Sequence, residues 1–287
     1  MAKNLSFKDR LIHISNLILE KIYQNKIIAI AAMELSVLIP TKKFLAIFLV
    51  MLFPVIVASY PSINNLNKIP ITEFVRYFEK DIGNIILSYW VGLPGQIIAI
   101  MIASEFIAGE LDKETLKLLF TKPMRKIDII LGKLIAFIIL MLTVMIPVLL
   151  IRTSAFILIF NKGYDELIAI LSSSFWWGLG IIMLGLIFIS SLGILISSLM
   201  KKPLYAALAA IIFLVGIQLF IGLIPFISDP TRYTFTYQMG VIIEEVYYLS
   251  DSNLYRGDPL LSLTFFVTAT IIDLIIAEIA LIRKEVP

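Results

Sequence analysis

Residues 130–158 read ILGKLIAFIILMLTVMIPVLLIRTSAFIL. From Leu134 to Ile151 the stretch runs 18 residues without a charged side chain. A bilayer has a hydrocarbon core ~30 Å thick, which a helix crosses in about 20 apolar residues. Working outward, comparable runs fall at 44–60, 84–107, 167–199, 203–226 and 259–282, so the sequence predicts six transmembrane helices. The runs at 130–158 and 167–199 exceed one crossing, an excess that tilt, a kink or protrusion accommodates.

Composition agrees. Of the 287 residues, 60% are apolar and 16% charged, against about 45–50% and about 25% in soluble domains. An ordinary soluble enzyme and a disordered chain are excluded, leaving an all-α polytopic membrane protein. Cysteine is absent, which removes disulfides and thiolate metal sites, and the single histidine, His13, is too few for a histidine-based metal site or triad. The net charge of +3 is too small to argue for nucleic acid. The polar N-terminus, MAKNLSFKDR, does not read as a cleavable signal.

The distribution of charge orients the spans. With the N-terminus inside, segments 1–43, 106–133, 198–203 and 283–287 hold seven, six, two and two Lys and Arg residues, 17 of the 24. The outer stretches carry acids such as Glu79, Asp81, Asp165 and Glu244. The positive-inside rule therefore places both termini in the cytoplasm.

Residues 7–39 are not a clean span, because Lys21, Lys26 and Glu34 interrupt them. Leu11, Ile14, Ile18 and Ile22 recur at helical spacing, as in an amphipathic helix lying in the cytoplasmic interface. Such a helix is either generic or an elbow that braces the bundle, and Pro40 ends it. The outer stretch 227–258 holds Tyr233, Phe235, Tyr237, Tyr247, Tyr248 and Tyr255, which read as interfacial anchors or as an outer gate.

The segment that follows the second run and opens the third, residues 104–133, reads SEFIAGELDKETLKLLFTKPMRKIDIILGK. Glu110, Asp112, Lys113, Glu114 and Lys117 form a mixed-charge face, and Leu116, Leu119 and Phe120 an apolar stripe. Pro123 ends the helix. A short amphipathic helix at a membrane surface suits a groove in another protein; the same residues also read as a loop whose cations face headgroups.

These residues resemble the signature of ABC-2 type permeases, the membrane subunits of ATP-binding-cassette transporters. The likeness is carried by Glu105, Ile107, Ala108, Glu110, Thr115, Leu116, Leu118, Leu119, Pro123, Met124 and Arg125, then Leu131-Gly132-Lys133. It departs from the pattern at Glu105, where Asp is commoner, and at Glu114, where Gly is usual. The outer sequence Asp229-Pro230-Thr231-Arg232-Tyr233 is also similar to the family's Pro-containing periplasmic segment. The resemblance implies one permease domain over 1–287. It has a cytoplasmic N-terminal and elbow segment at 1–43, a six-span bundle at 44–283, a cytoplasmic coupling helix within 106–130 between spans two and three, and an extracellular loop at 227–258. It implies cytosolic ABC ATPase subunits as partners, docked on Glu105, Glu110, Thr115, Leu116, Leu119, Pro123 and Arg125, and a second permease copy or a related permease. ATP and Mg would belong to the ATPase, with no cofactor in this chain. The residues concur: Gly132-Lys133 is followed by Leu134 and lacks the upstream glycine of a P-loop. The expected function is movement of a substrate across the cell membrane, most often export, driven by ATP hydrolysed on the separate subunit.

Polar residues inside the spans are candidates for a pathway or for helix packing. They are Gln96, beside the Gly92-Leu-Pro94-Gly95 cluster that should bend the second span, Gln218 in the fifth, and Asp273 in the sixth, about 15 Å below Arg283. Arg152 is expected to reach the outer interface. An intramembrane enzyme finds no paired carboxylates or nucleophile–base set at one depth in this sequence. A non-transport structural or assembly subunit, or a channel, fits the composition equally well; the ordered 104–133 motif favours the permease.

Overall fold

The computed structural model describes residues 25–57, 70–113, 125–172, 174–220, 230–247 and 255–284. Among them there is no strand. The helices are α1 (Lys26–Leu38), α2 (Lys42–Val57), α3 (Ile71–Ile85), α4 (Leu93–Asp112), α5 (Lys126–Ile159), α6 (Tyr164–Ser172), α7 (Ser174–Leu199), α8 (Pro203–Phe220), α9 (Phe235–Tyr247) and α10 (Pro259–Arg283). A π-helical turn, Ile86–Trp90, joins α3 towards α4, and a 3-10 turn, Pro230–Tyr233, precedes α9.

Four helices, α4, α5, α7 and α10, are long and apolar enough to cross a membrane. The pair α1 and α2 qualifies as a fifth crossing only when taken together, and it is bent by 85° at Ile39–Thr41. The bend falls at Pro40, whose missing N–H cannot extend the hydrogen-bond ladder of α1 beyond Ile39. α8 is a shorter apolar helix.

The predicted second span, 84–107, is not one kinked helix. It divides into the end of α3, the π turn and α4, with the chain breaking at Val91-Gly92. Both neighbouring glycines are required by close approach. A Cβ at Gly92 would lie 2.1 Å from the Ser88 carbonyl oxygen, and one at Gly95 would lie 1.8 Å from that of Trp90. Pro94 then starts α4 at a position where its missing N–H costs nothing. The predicted fourth span, 167–199, is described as helix on both sides of residue 173, as α6 up to Ser172 and α7 from Ser174.

α7 is the central helix, packed against α4, α5, α8 and α10. Small residues let its neighbours close in: a Cβ at Gly193 would meet the Ala103 Cβ of α4 at 2.7 Å, and one at Gly185 would meet Val91 at 2.7 Å. Large apolar side chains stay exposed on α2, α8 and α10, among them Phe53, Ile212 and Ile272. In water such faces would be a liability; on a membrane-spanning bundle they face lipid or another transmembrane helix.

Candidate functional site

The C-terminal end of α4 and the N-terminal end of α5 flank the segment carrying the permease-like motif. Lys133 of α5 is fully buried and its Nζ donates to two carboxylates. One is Glu110 of α4, at 2.7 Å, and the other is Glu34 of α1. The ammonium also lies 5.8 Å from the centroid of the Phe106 ring. Taking a lysine out of water is costly unless it is paired and hydrogen-bonded, so this triad ties three helices at one point. The residue before it completes the contact. A Cβ at Gly132 would lie 2.8 Å from the Ile30 side chain and 2.9 Å from the Ile27 carbonyl oxygen, so only glycine lets α1 lie against the α5 backbone.

The same end of α4 is held from two other sides. Glu105 accepts from Lys43, at the start of α2, at 2.7 and 2.8 Å, in an exposed pair. Ser197 of α7 reaches into the α4 backbone: its Oγ accepts from the Ala108 N–H at 2.8 Å and donates to the Ser104 carbonyl at 2.8 Å. Those two atoms are the ends of one i to i−4 rung, so a foreign hydroxyl bridges the ladder at Ala108, four residues before α4 ends at Asp112. On the α5 side, Asp128 accepts from the Arg125 backbone N–H at 3.3 Å, which defines where that helix begins.

A second set of polar contacts lies at the opposite end of α5. Arg152, expected at the outer interface, does not present its side chain to the surroundings of the bundle; it is fully buried, ion-paired with Asp81 of α3 and 5.6 Å from the Phe156 ring centroid. Burial pushes the Asp81 carboxyl above its usual range, opposed by the facing guanidinium. α3 is strongly amphipathic. Its Phe74 and Phe78 pack on Phe156 at 5.3 and 5.1 Å, and Ser174 of α7 donates to its Glu79 at 2.6 Å. Three described tyrosines of the stretch predicted to be outside also make contacts within the chain. Tyr247 donates to the Ser174 carbonyl, Tyr237 to that of Arg256, and the Tyr255 ring covers Gly240. Tyr233 is exposed, as a surface anchor would be.

The three intramembrane polar candidates are not brought together. Gln96 is buried beside the α3–α4 break, where its Nε2 donates to the Val91 carbonyl at 2.8 Å and steadies the last residue before the break. Asp273 accepts from Ser191 Oγ at 2.9 Å, an interhelical bond between α10 and α7. Gln218 lines a cavity.

Of the motif residues, Thr115, Leu116, Leu119 and Pro123 lie outside the described residues, as do residues 1–24 of the expected elbow. Glu105, Glu110 and Arg125 are described, and both acids are engaged by lysines of this chain. In the sequence Lys133 stands out only as part of the permease-like motif, and Glu34 only as a charge that interrupts residues 7–39. Their pairing was not foreseen, nor was the role of Ser197. The available signal was the Gly132-Lys133 pair itself, because a glycine beside a charge inside an apolar helix marks close approach of another backbone.

Long apolar helices, lipid-facing flanks and charged side chains buried as partners at both ends of the bundle define a multi-pass membrane protein. The chain belongs to the ABC-2 transporter family: the family described as ABC-2 family transporter protein matches residues 28–256, from within α1 to just before α10. It is therefore a membrane permease of an ABC transporter. No curated protein matches the chain.

Proposed function

We propose that this protein is an exporter's permease subunit in the cell membrane, driven by ATP that separate cytosolic ATPase subunits hydrolyse. In this reading six spans cross the bilayer, carried by α2, α4, α5, α7, α8 and α10. Residues 1–43 form the cytoplasmic elbow, both termini are cytoplasmic, and a coupling helix within 106–130 docks on the ATPase. A second copy or a related permease completes the path. The chain is not itself an ATPase and carries no cofactor; ATP and Mg bind the partner.

The observation that carries this reading is the Glu110–Lys133–Glu34 junction. A docking segment transmits force only if its ends are attached to something that moves as a unit. The ion triad joins the helix entering the segment, the helix leaving it and the elbow-side helix α1. Because Glu105 and Glu110 are engaged within the chain, we assign them to holding the segment's base, and assign contact with the ATPase to Leu116, Leu119 and Arg125. ATP binding then biases the permease between conformations through its differential affinity for the two ATPase arrangements.

The test is a comparison of the full chain with Leu116→Asp/Leu119→Asp, each purified from membranes of cells expressing its genomic neighbours. The unaltered chain should retain an ATPase polypeptide with a Walker motif, and the double variant should lose at least ten-fold of the co-purifying ATP hydrolysis while eluting as the same monodisperse species. Undiminished ATPase retention by the double variant rejects the docking assignment.

A further inference from the structure

Three dibasic pairs stand at helix ends on one side of the bundle. They are Arg125-Lys126 at the start of α5, Lys201-Lys202 between α7 and α8, and Arg283-Lys284 at the end of α10. The pairs are far apart in sequence, and two hydrogen bonds draw them together. Lys126 Nζ donates to the Leu281 carbonyl at 2.6 Å, two residues before Arg283. Lys284 Nζ donates to the Met200 carbonyl at 2.9 Å, one residue before Lys201. Both acceptors lie at helix C-terminal ends, where a cation is favoured. The three pairs thus form one basic patch.

The patch is short of acid. Lys43, Lys133 and Arg152 each face a carboxylate of this chain. Among the described residues no acid pairs with Lys201, Lys202, Arg283 or Lys284. Lys202 lies 6.0 Å from the Tyr205 ring centroid. Glu278 precedes Arg283 on α10 without pairing with it, and Asp128 accepts from the Arg125 backbone N–H. Glu285 lies outside the described residues. The consequence registers at Lys284: burial, and after it the like charge of Lys201, pulls its ammonium below its usual range. Holding like charges together costs free energy, which an anion from outside offsets.

The surroundings select the kind of anion. Leu204 and Leu208 follow Lys202 into α8, and Ile279 and Ile282 precede Arg283 in α10; all four are exposed. Cations at the helix ends with exposed apolar side chains beneath them match the layering of a phospholipid, phosphate at the boundary and acyl chains below. Phosphate oxygens accept charge-assisted hydrogen bonds from Lys and Arg. An acidic protein surface or a free phosphate would meet the cations and leave the apolar flank unused. A zwitterionic headgroup brings a cation of its own to a place already crowded with them, so the fitting headgroup is net negative.

We propose that this patch binds the headgroup of an anionic phospholipid, whose phosphate accepts from Lys201, Lys202 and Arg283 while its acyl chains lie against the exposed apolar residues just below. Lys126 and Lys284 hold the three helix ends in place through their bonds to carbonyls. The site shares no residue with the Lys133 junction and does not depend on the coupling assignment.

Native mass spectrometry of the full chain in a neutral detergent tests this. The lipids are phosphatidylglycerol and phosphatidylcholine of equal chain length. A Lys or Arg near the membrane surface is worth about five-fold in affinity for anionic lipid. The first phosphatidylglycerol should therefore bind at least ten-fold more tightly than the first phosphatidylcholine. Lys201→Gln/Lys202→Gln should lower that preference at least five-fold. Lys42→Gln/Lys113→Gln removes two exposed cations at the ends of α2 and α4, reaches the same net charge, and should leave the preference within two-fold. Excess glycerol phosphate should not displace the lipid. Equal affinity for the two lipids in the unaltered chain overturns the proposal, and this comparison does not depend on any variant folding. An equal loss in the two double variants overturns it by making net charge the cause, and displacement by glycerol phosphate overturns it by making this a site for a free anion. A preference that survives Lys201→Gln/Lys202→Gln overturns it as well, and loss of a bound ATPase from that variant would then make the patch a protein contact.

Discussion

Lys133 is the residue whose surroundings say most about the molecule. A lysine with no exposed surface, facing two carboxylates whose side chains are 14% and 16% exposed, is a charge cluster that survives only intact. Removing the cation leaves Glu34 and Glu110 repelling each other in a poorly solvated place. Lys133→Met should therefore destabilise the protein by about 3–5 kcal/mol, the usual cost of breaking a buried pair. Glu34→Gln keeps the Lys133–Glu110 pair and should cost about 1 kcal/mol. The triple change Lys133→Met/Glu34→Gln/Glu110→Gln removes all three charges and should recover most of the loss. Thermal unfolding of the purified protein, followed by loss of monodispersity, ranks the three. A single Lys133→Met variant as stable as the original would mean that the lysine is not committed to the cluster. The identities of these residues were all visible in the sequence, but their partnership was not. Glu34 and Lys133 are 99 positions apart, and no local spacing rule connects residues at that separation. Gln96 and Asp273 were flagged for lying in apolar runs, and each has a hydrogen bond to account for it.

At the scale of elements, periodicity and length read well because a membrane imposes them. Apolar runs of about 20 residues were recognisable wherever one helix does one crossing, as in α5 and α10. They misled at 84–107, because hydropathy cannot tell a continuous helix from two helices in line with a break between them. The Gly92-Leu-Pro94-Gly95 cluster did announce an irregularity; that it is a π turn followed by a fresh helix start depends on backbone contacts with Ser88 and Trp90. The two types of glycine in α4 separate these ideas experimentally. A Cβ at Gly95 would collide with the Trp90 carbonyl, part of the backbone, so Gly95→Ala should force the junction apart and cost more than the 1–3 kcal/mol typical of overpacking. At Gly109 the nearest atom outside the helix backbone is the Glu105 Cβ at 3.8 Å, an ordinary contact. Gly109→Ala should be neutral or stabilising by up to about 1 kcal/mol, since alanine loses less backbone freedom in a helix. Unfolding midpoints of the two variants, measured side by side, check the contrast, and an equal effect at both positions would refute the break as a constrained joint.

Taken whole, the molecule has two polar junctions at opposite ends of one long helix. α5 carries Lys133 near its start and Arg152 near its end, 19 residues or roughly 28 Å apart, about the thickness of the hydrocarbon core. Each cation is fully buried and paired with an acid from a helix that precedes α5 in the chain. The sequence placed both charges at the edges of an apolar run, so the position of the membrane was legible, while the packing that buries them was not. This arrangement makes a topological prediction that the cysteine-free sequence can test cleanly, because any single introduced cysteine is the only thiol. Lys117 belongs to the motif segment between α4 and α5 in the chain, and Asp251 to the stretch the sequence predicts to be outside, between α9 and α10. If basic residues are retained in the cytoplasm, Asp251→Cys should react in intact cells with a membrane-impermeant maleimide, and Lys117→Cys only after the cells are opened. The ratio of labelling before and after permeabilisation should differ between the two sites by at least ten-fold. The reverse pattern would turn the bundle over and remove the motif segment from the reach of any cytosolic ATPase. Equal labelling of both sites in intact cells would place them on one face, which three crossings between them, by α5, α7 and α8, do not allow.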